Sequence, residues 1–310
     1  MKKWAAAFCA GLLLILTLSV VPVSAYAAPS VDPDAEASLT LQYRCGGTAF
    51  AGLEIQTYRI ADVLPDGTYT LTDAFAHVPV SIYGVTSQAE WTEIASTLAA
   101  YAAADHMEPT YRGVTDDADG LLCFSGIRPG MYLTLSVRAE TEAGTVVFEH
   151  LLTCVPNPDE AENPVYDVTV YPKSVVQQPE TEAIEYRVVK QWKDSGSIQK
   201  RPESITIDLL KNGVLQTTQT LSAKNNWSYA WTAPDDGSKW QAVERNVPAG
   251  YTVTIVENGH TIVVTNACGN GHENLPSTGE TAAWQPYAIG MGLSGALLLI
   301  LAVRRKRAEK

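Results

Sequence analysis

Three side chains that can condense with one another occur in the C-terminal half of the chain, each on an apolar strand face. In the run EYRVVKQW, period-two alternation puts Tyr186, Val188, Lys190 and Trp192 on one side. In HTIVVTNA it groups Ile262, Val264 and Asn266, and in WQAVERN it groups Trp240, Ala242 and Glu244. An amine, a carboxamide and a carboxyl buried without partners would each cost several kcal/mol. Two arrangements avoid that cost. Either the residues lie at strand ends, where a lysine stem snorkels to water, or they meet. If they meet, desolvation leaves the lysine neutral and nucleophilic and keeps the glutamic acid protonated. Lys190 could then attack the side-chain carbonyl of Asn266, while Glu244 polarises that carbonyl and relays protons as ammonia leaves. The product is an amide cross-link between the first and last strands of one domain.

A second amine stands out by its isolation. No lysine occurs between Lys3 and Lys173. Lys173 closes the run VYDVTVYPK, in which alternation puts Asp167, Thr169, Tyr171 and Lys173 on one mostly polar face. Pro172 stops that strand from pairing further. A primary amine exposed at a fixed strand end suits an acyl acceptor. The plainer reading is an ordinary lysine opening the linker SVVQQPETEA.

The elements that must hold these residues read as an all-β chain: two Ig-like or prealbumin-like β-sandwich domains in tandem, the first with one inserted helix. Residues 28–173 form the first domain, 174–182 a linker and 183–268 the second domain. In the second domain, EYRVVKQW, SITIDLLKNG, VLQTTQTL, NNWSYAW, WQAVERN, GYTVTIV and HTIVVTNA alternate with turn signals at Asn212-Gly213 and Pro248-Ala249-Gly250. In the first, SLTLQYR, GLEIQTYRIADV, LLCFSGI, MYLTLSV, VVFEHLLTCVP and VYDVTVYPK read as strands. Ser87-Gln88-Ala89-Glu90 is a capping box, followed by Trp91, Ile94, Leu98 and Tyr101 at helical spacing, a face expected to dock on the sheet.

The ends place the chain outside the cell. Lys2 and Lys3, an apolar run to about Val23 and small residues around Ala25-Tyr26-Ala27 form a secretory signal peptide over residues 1–27. Residues 286–303 form an uncharged span just long enough to cross a bilayer. Arg304, Arg305, Lys306 and Arg307 follow and should remain cytoplasmic.

Composition narrows the function further. From Ser30 to Pro172 there are 21 Asp and Glu against 5 Arg, which disfavours nucleic acid and anionic membrane as partners. Cys45, Cys123, Cys154 and Cys268 lack CxxC spacing, so no zinc site is expected; outside the cell a disulfide is open to them, with no pairing specified. No GxSxG, HExxH, P-loop or Rossmann motif occurs. The chain is not expected to be a conventional enzyme or to carry a cofactor or metal.

Leu275, Pro276, Ser277, Thr278 and Gly279, with the apolar span and basic tail behind them, resemble the cell-wall sorting signal of Gram-positive surface proteins. The resemblance implies cleavage by a sortase after Thr278, transfer of the Thr278 acyl group to an amine, and a transient membrane anchor over 269–310. The words KQWKD, RPESITIDLLKNG, NNWSYAW, VERNVPAGYTV and VVTNA resemble the Cna B-type domain of the same class of proteins. That family carries an intramolecular lysine isopeptide bond aided by an acid, and the resemblance lays these roles on Lys190, Asn266 and Glu244. AGLEIQTYRIAD and DGLLCFSGIRPGMYL, with the closing strand, resemble the N-terminal domain of sortase-assembled major pilins. Two departures stand out. The family's acid falls near Ser136, and the domain has no lysine before Lys173, so it cannot make a lysine isopeptide of its own.

In the same family a VYPK-type motif supplies the lysine to which the next subunit is joined. Val170, Tyr171, Pro172 and Lys173 match its core, although Pro164 stands where an upstream tryptophan is common. The resemblances imply a peptidoglycan-anchored shaft pilin subunit, with sortase and neighbouring subunits as partners. The alternative is a monomeric wall-anchored adhesin or pilus-base protein that binds a host ligand. Asn226-Trp227-Ser228 fits a glycosylation acceptor by coincidence, and Trp227 is expected in the core.

Overall fold

The computed structural model describes residues 30–116, 118–159, 163–177, 183–194, 201–234 and 236–268. The expected signal peptide, the LPSTG segment at 275–279, the expected membrane span and the basic tail lie outside them. Among the described residues, no helix is long and apolar enough to cross a membrane.

In each domain a late strand returns beside the first and runs parallel to it. In the first domain Ala37–Gln42 pairs in parallel with Asp167–Val170 and antiparallel with Leu121–Ile127. Alternation makes that opening strand one-sided: Ala37, Leu39 and Leu41 are buried. They join Tyr43, Ile55, Tyr132, Phe148 and Val168 in a core of their own. A second sheet sets Glu54–Val63 beside Gly130–Thr134 and Tyr69–Leu71, with Leu151–Val155 at its rim.

The second domain is a sandwich of four strands against three. One sheet runs Ser228–Pro234, Ala183–Lys193, Thr261–Ala267, Thr252–Asn258; the other runs Val214–Ser222, Ser204–Lys211, Trp240–Glu244. All seven expected strands form. Asn212 and Gly213 both take positive φ, 51° and 77°, which turns the hairpin between the second and third strands.

Two features differ from the sequence reading. VVFEHLLTCVP is not one strand but two, Gly144–Phe148 and Leu151–Val155, in different sheets. The chain breaks at Glu149 and His150, where the Glu149 amide bonds the Lys173 carbonyl and the His150 ring accepts from the Ser136 amide. Within the expected linker, Ser174–Gln177 is a strand that pairs with Gly144–Phe148, so the first domain's sheet continues past Lys173. Of the two options open to the cysteines, Cys45, Cys123, Cys154 and Cys268 are unbonded.

The helix, Gln88–Ala104, begins at the expected capping box, with Ser87 as its N-cap and Glu90 bonding back. Trp91, Ile94, Leu98 and Tyr101 are buried as expected, but so are Ala95, Thr97, Ala99, Ala100 and Ala102. A helix apolar on nearly all sides must be covered on nearly all sides. One side lies on the first domain's strands Gly130–Thr134 and Leu151–Val155; another packs on Trp240–Glu244 and Thr252–Asn258 of the second domain. The two sandwiches therefore share a continuous core running from Tyr58, Phe75 and Leu133 through the helix to Leu209, Val243 and Ile255.

Candidate functional site

Each of the three candidate cross-link residues stands on the buried side of a strand. Lys190 follows Tyr186 and Val188 on the buried face of Ala183–Lys193. Asn266 follows Ile262 and Val264 on Thr261–Ala267, and Glu244 ends Trp240–Glu244. Parallel pairing sets Lys190 beside Val264 and Trp192 beside Asn266. The snorkelling arrangement is not the one adopted: the Lys190 and Glu244 side chains are both 0% exposed, and Asn266 is equally buried.

The carboxyl of Glu244 bridges the other two groups. Asn266 Nδ2 donates to Glu244 Oε1 at 2.8 Å, and Lys190 Nζ stands 3.7 Å from Oε2. The amine donates to the backbone carbonyls of Gln191 at 2.8 Å and Val264 at 3.4 Å, and lies 4.1 Å from the centre of the Trp192 ring. Trp227 packs edge-on against Trp192, with ring centres 5.5 Å apart. Glu244 Oε2 and Asn266 Oδ1 are buried without hydrogen-bond partners, which leaves acceptors beside an amine.

Electrostatics lower the barrier to proton exchange. Burial pulls Lys190 down from its ordinary 10.5 to about 8, against the attraction of Glu244. Burial pushes Glu244 up, against the pull of Lys190 and the hydrogen bond from Asn266. Burial thus shifts the amine towards its neutral form and the carboxyl towards holding its proton, the directions that amide exchange requires. The amide of Asn266 presents its nitrogen, not its oxygen, to the acid. The two orientations are related by a half-turn of the carboxamide, so a protonated Glu244 can equally donate to Oδ1 and polarise the carbonyl.

Several groups around the site carried no sequence signal of their own. Buried Asp194 takes both arms of Arg201 at 2.6 and 2.7 Å and the Tyr251 hydroxyl at 3.1 Å. From the first domain, the Tyr101 hydroxyl donates to the Glu244 backbone carbonyl at 2.6 Å. Arg245 joins Asp208 at 2.6 Å and also binds Asp105 and the Ala104 carbonyl at the helix end. The clue to the contacts with the helix was the alanines flanking Tyr101, at 99, 100 and 102 to 104, too apolar for a helix with one covered face.

Lys173 stands apart from this site. It is exposed between Asp167–Val170 and Ser174–Gln177, with Tyr171 67% exposed beside it and Pro172 buried. Its carbonyl is tied to the Glu149 amide at 2.9 Å, so the backbone is fixed while the amine is free to reach outward.

Comparison with known proteins places the buried triad in a recognisable segment. The Collagen adhesin of Staphylococcus aureus is 32% identical over 97 residues, 29% of this chain and 8% of that protein, so the chain spans a small part of that relative's length. Among solved structures, the shaft pilin SpaA of Lactobacillus rhamnosus GG aligns over 76% of this chain and 98% of its own, at 15% identity and a TM-score of 0.26. The major pilin SpaD of Corynebacterium diphtheriae aligns over 76% and 65%, at 15% identity and a TM-score of 0.30. Residues 186–267, which contain Lys190, Glu244 and Asn266, match the family model of the Cna protein B-type domain.

Proposed function

We propose that the protein is a wall-anchored structural subunit of a pilus, stiffened by an isopeptide bond between Lys190 and Asn266. The observation that carries this reading is the closed triad: an amine and a carboxamide, both fully buried, with one carboxyl reaching both, inside the segment that matches the Cna B-type domain. In the condensation, Lys190 Nζ attacks Asn266 Cγ, the Nζ–Cγ bond forms and the Cγ–Nδ2 bond breaks. Glu244 takes a proton from the amine through Oε2 and returns one to Nδ2 through Oε1, releasing ammonia. The reaction removes the buried lysine amine, a group costly to ionise or leave unpaired in a low-dielectric core, which favours product.

Polymerisation belongs to the same proposal. A sortase cysteine attacks the Thr278 carbonyl within Leu275, Pro276, Ser277, Thr278 and Gly279, releases Gly279 onward, and passes the acyl group to Lys173 Nζ of the next subunit. The final subunit would go to peptidoglycan. An exposed amine on a pinned backbone supports the acceptor role. The test is an immunoblot of boiled wall extracts, comparing wild type with Lys173→Ala. A high-mass ladder in the wild type that is lost in the variant supports polymerisation through Lys173. A single band in both moves the reading to a monomeric wall-anchored adhesin, which the relation to a collagen adhesin favours.

A further inference from the structure

The acid and the amide are both served by outer strands. Trp240–Glu244 is the rim of the three-stranded sheet, and Thr252–Asn258, which pairs with the amide strand, is the rim of the four-stranded one. Outer strands leave backbone groups unpaired and open readily. Here both rims face the first domain, and three of their backbone groups are taken by it. The Tyr101 hydroxyl donates to the Glu244 carbonyl at 2.6 Å. The Ile255 amide donates to Thr97 Oγ1 at 2.8 Å, and the Val253 amide to the Pro79 carbonyl at 2.7 Å.

These three contacts border the reacting groups. Glu244 is the acid itself. Val253 lies directly across from Asn266, and Ile255 lies across from Val264, whose carbonyl holds the Lys190 amine. Thr97 spends its own proton on the Glu93 carbonyl at 2.7 Å, so its lone pairs face the second domain. One residue beyond Glu244, Arg245 is clamped between Asp208 of its own domain and the helix end. Amide exchange requires one carboxyl to reach two partners at once, and a misplacement of about 1 Å can slow such a step by about a hundredfold.

We propose that the first domain's helix is part of the condensing site, with Tyr101 and Thr97 as positioning residues: Tyr101 holds the acid strand, and Thr97 holds the rim strand on which the amide strand is laid. Formation of the cross-link in the second domain then depends on docking of the first. The inference rests on the condensation proposed above. None of these groups touches a reacting atom, so the dependence acts through Glu244 and Asn266.

The test follows ammonia loss by intact mass as the full-length chain folds by dilution from urea into detergent, across a range of pH. Tyr101→Phe and Thr97→Val should each condense about three- to tenfold more slowly, the effect of one lost hydrogen bond. Thr97→Ser, which keeps the hydroxyl, should restore the rate. The melting temperature of Tyr101→Phe, measured in a Lys190→Ala background, separates a loss of stability from a loss of rate. If Tyr101→Phe and Thr97→Val condense at the wild-type rate, the positioning role is overturned and the cross-link stands. If wild type itself stays at its uncondensed mass, both fall together.

Discussion

Lys190 Nζ stands 3.7 Å from Glu244 Oε2, and neither side chain touches solvent. The pair joins the first strand of the second domain to a rim strand, and Asn266 brings in the last. Replacing Lys190 by Ala removes the nucleophile, so the chain should remain one ammonia heavier than the condensed protein. It also frees the loop between residues 190 and 266, which should cost about 4 kcal/mol by loop-closure entropy. Intact mass and thermal melting check both. Identical masses before and after the substitution, allowing for the change of side chain, would exclude the bond.

Glu244→Gln keeps the size of the side chain and removes its ability to exchange protons. Condensation should be lost or slowed at least a hundredfold, the usual contribution of a general acid–base. The same mass measurement decides it, and a condensed Glu244→Gln chain would remove Glu244 from the mechanism.

In an uncondensed variant such as Asn266→Ala, the contribution of Lys190 to stability should grow as the solution is made alkaline. Lys190 titrates at about 8 in the fold against an ordinary 10.5. Between those values the unfolded chain holds the extra proton, so unfolding free energy rises with pH, by on the order of 3 kcal/mol across the window. The difference in urea midpoint between Asn266→Ala and the same variant carrying Lys190→Met, at pH 7.5 and pH 10, measures it, because burial raises the pKa of Cys154, Tyr43, Tyr101 and Tyr132, which act in the opposite sense in both chains. A difference that does not grow would mean that Lys190 keeps its proton in the fold.

The helix makes one cooperative unit of two sandwiches. Leu98 is fully buried within the core that spans both domains, so Leu98→Ala should cost about 2–5 kcal/mol and lower the unfolding of both together. Calorimetry should show one transition that shifts as a whole. Two separated transitions, with only the first-domain one moved, would mean that the shared core does not couple them.

Much of the site was legible because period-two alternation says which side of a strand a residue faces. That placed Lys190, Glu244 and Asn266 inward, and it placed Lys173 outward with Asp167, Thr169 and Tyr171. Alternation does not say what lies beyond a rim strand. Tyr101 was legible as a core residue of a helix, yet nothing in its spacing pointed to a carbonyl 143 residues away. Ser174–Gln177 was lost for the opposite reason: Val175 and Val176 are both exposed, so the strand has no buried face to announce it. The break at His150 depends on a ring accepting the Ser136 amide, a tertiary contact with no local signature.

The parallel pairing of Ala183–Lys193 with Thr261–Ala267 decides how the second domain meets a pull along the chain. Because the entering and leaving strands run the same way, tension slides one along the other and loads their ladder all at once instead of unzipping it bond by bond. An amide from Lys190 to Asn266 ties that sliding pair near one end. The 75 residues between them, about 250 Å of extended chain, then lie outside the path of the load. The domain would answer tension as a short inextensible link, and its hydrophobic core would carry none of the strain.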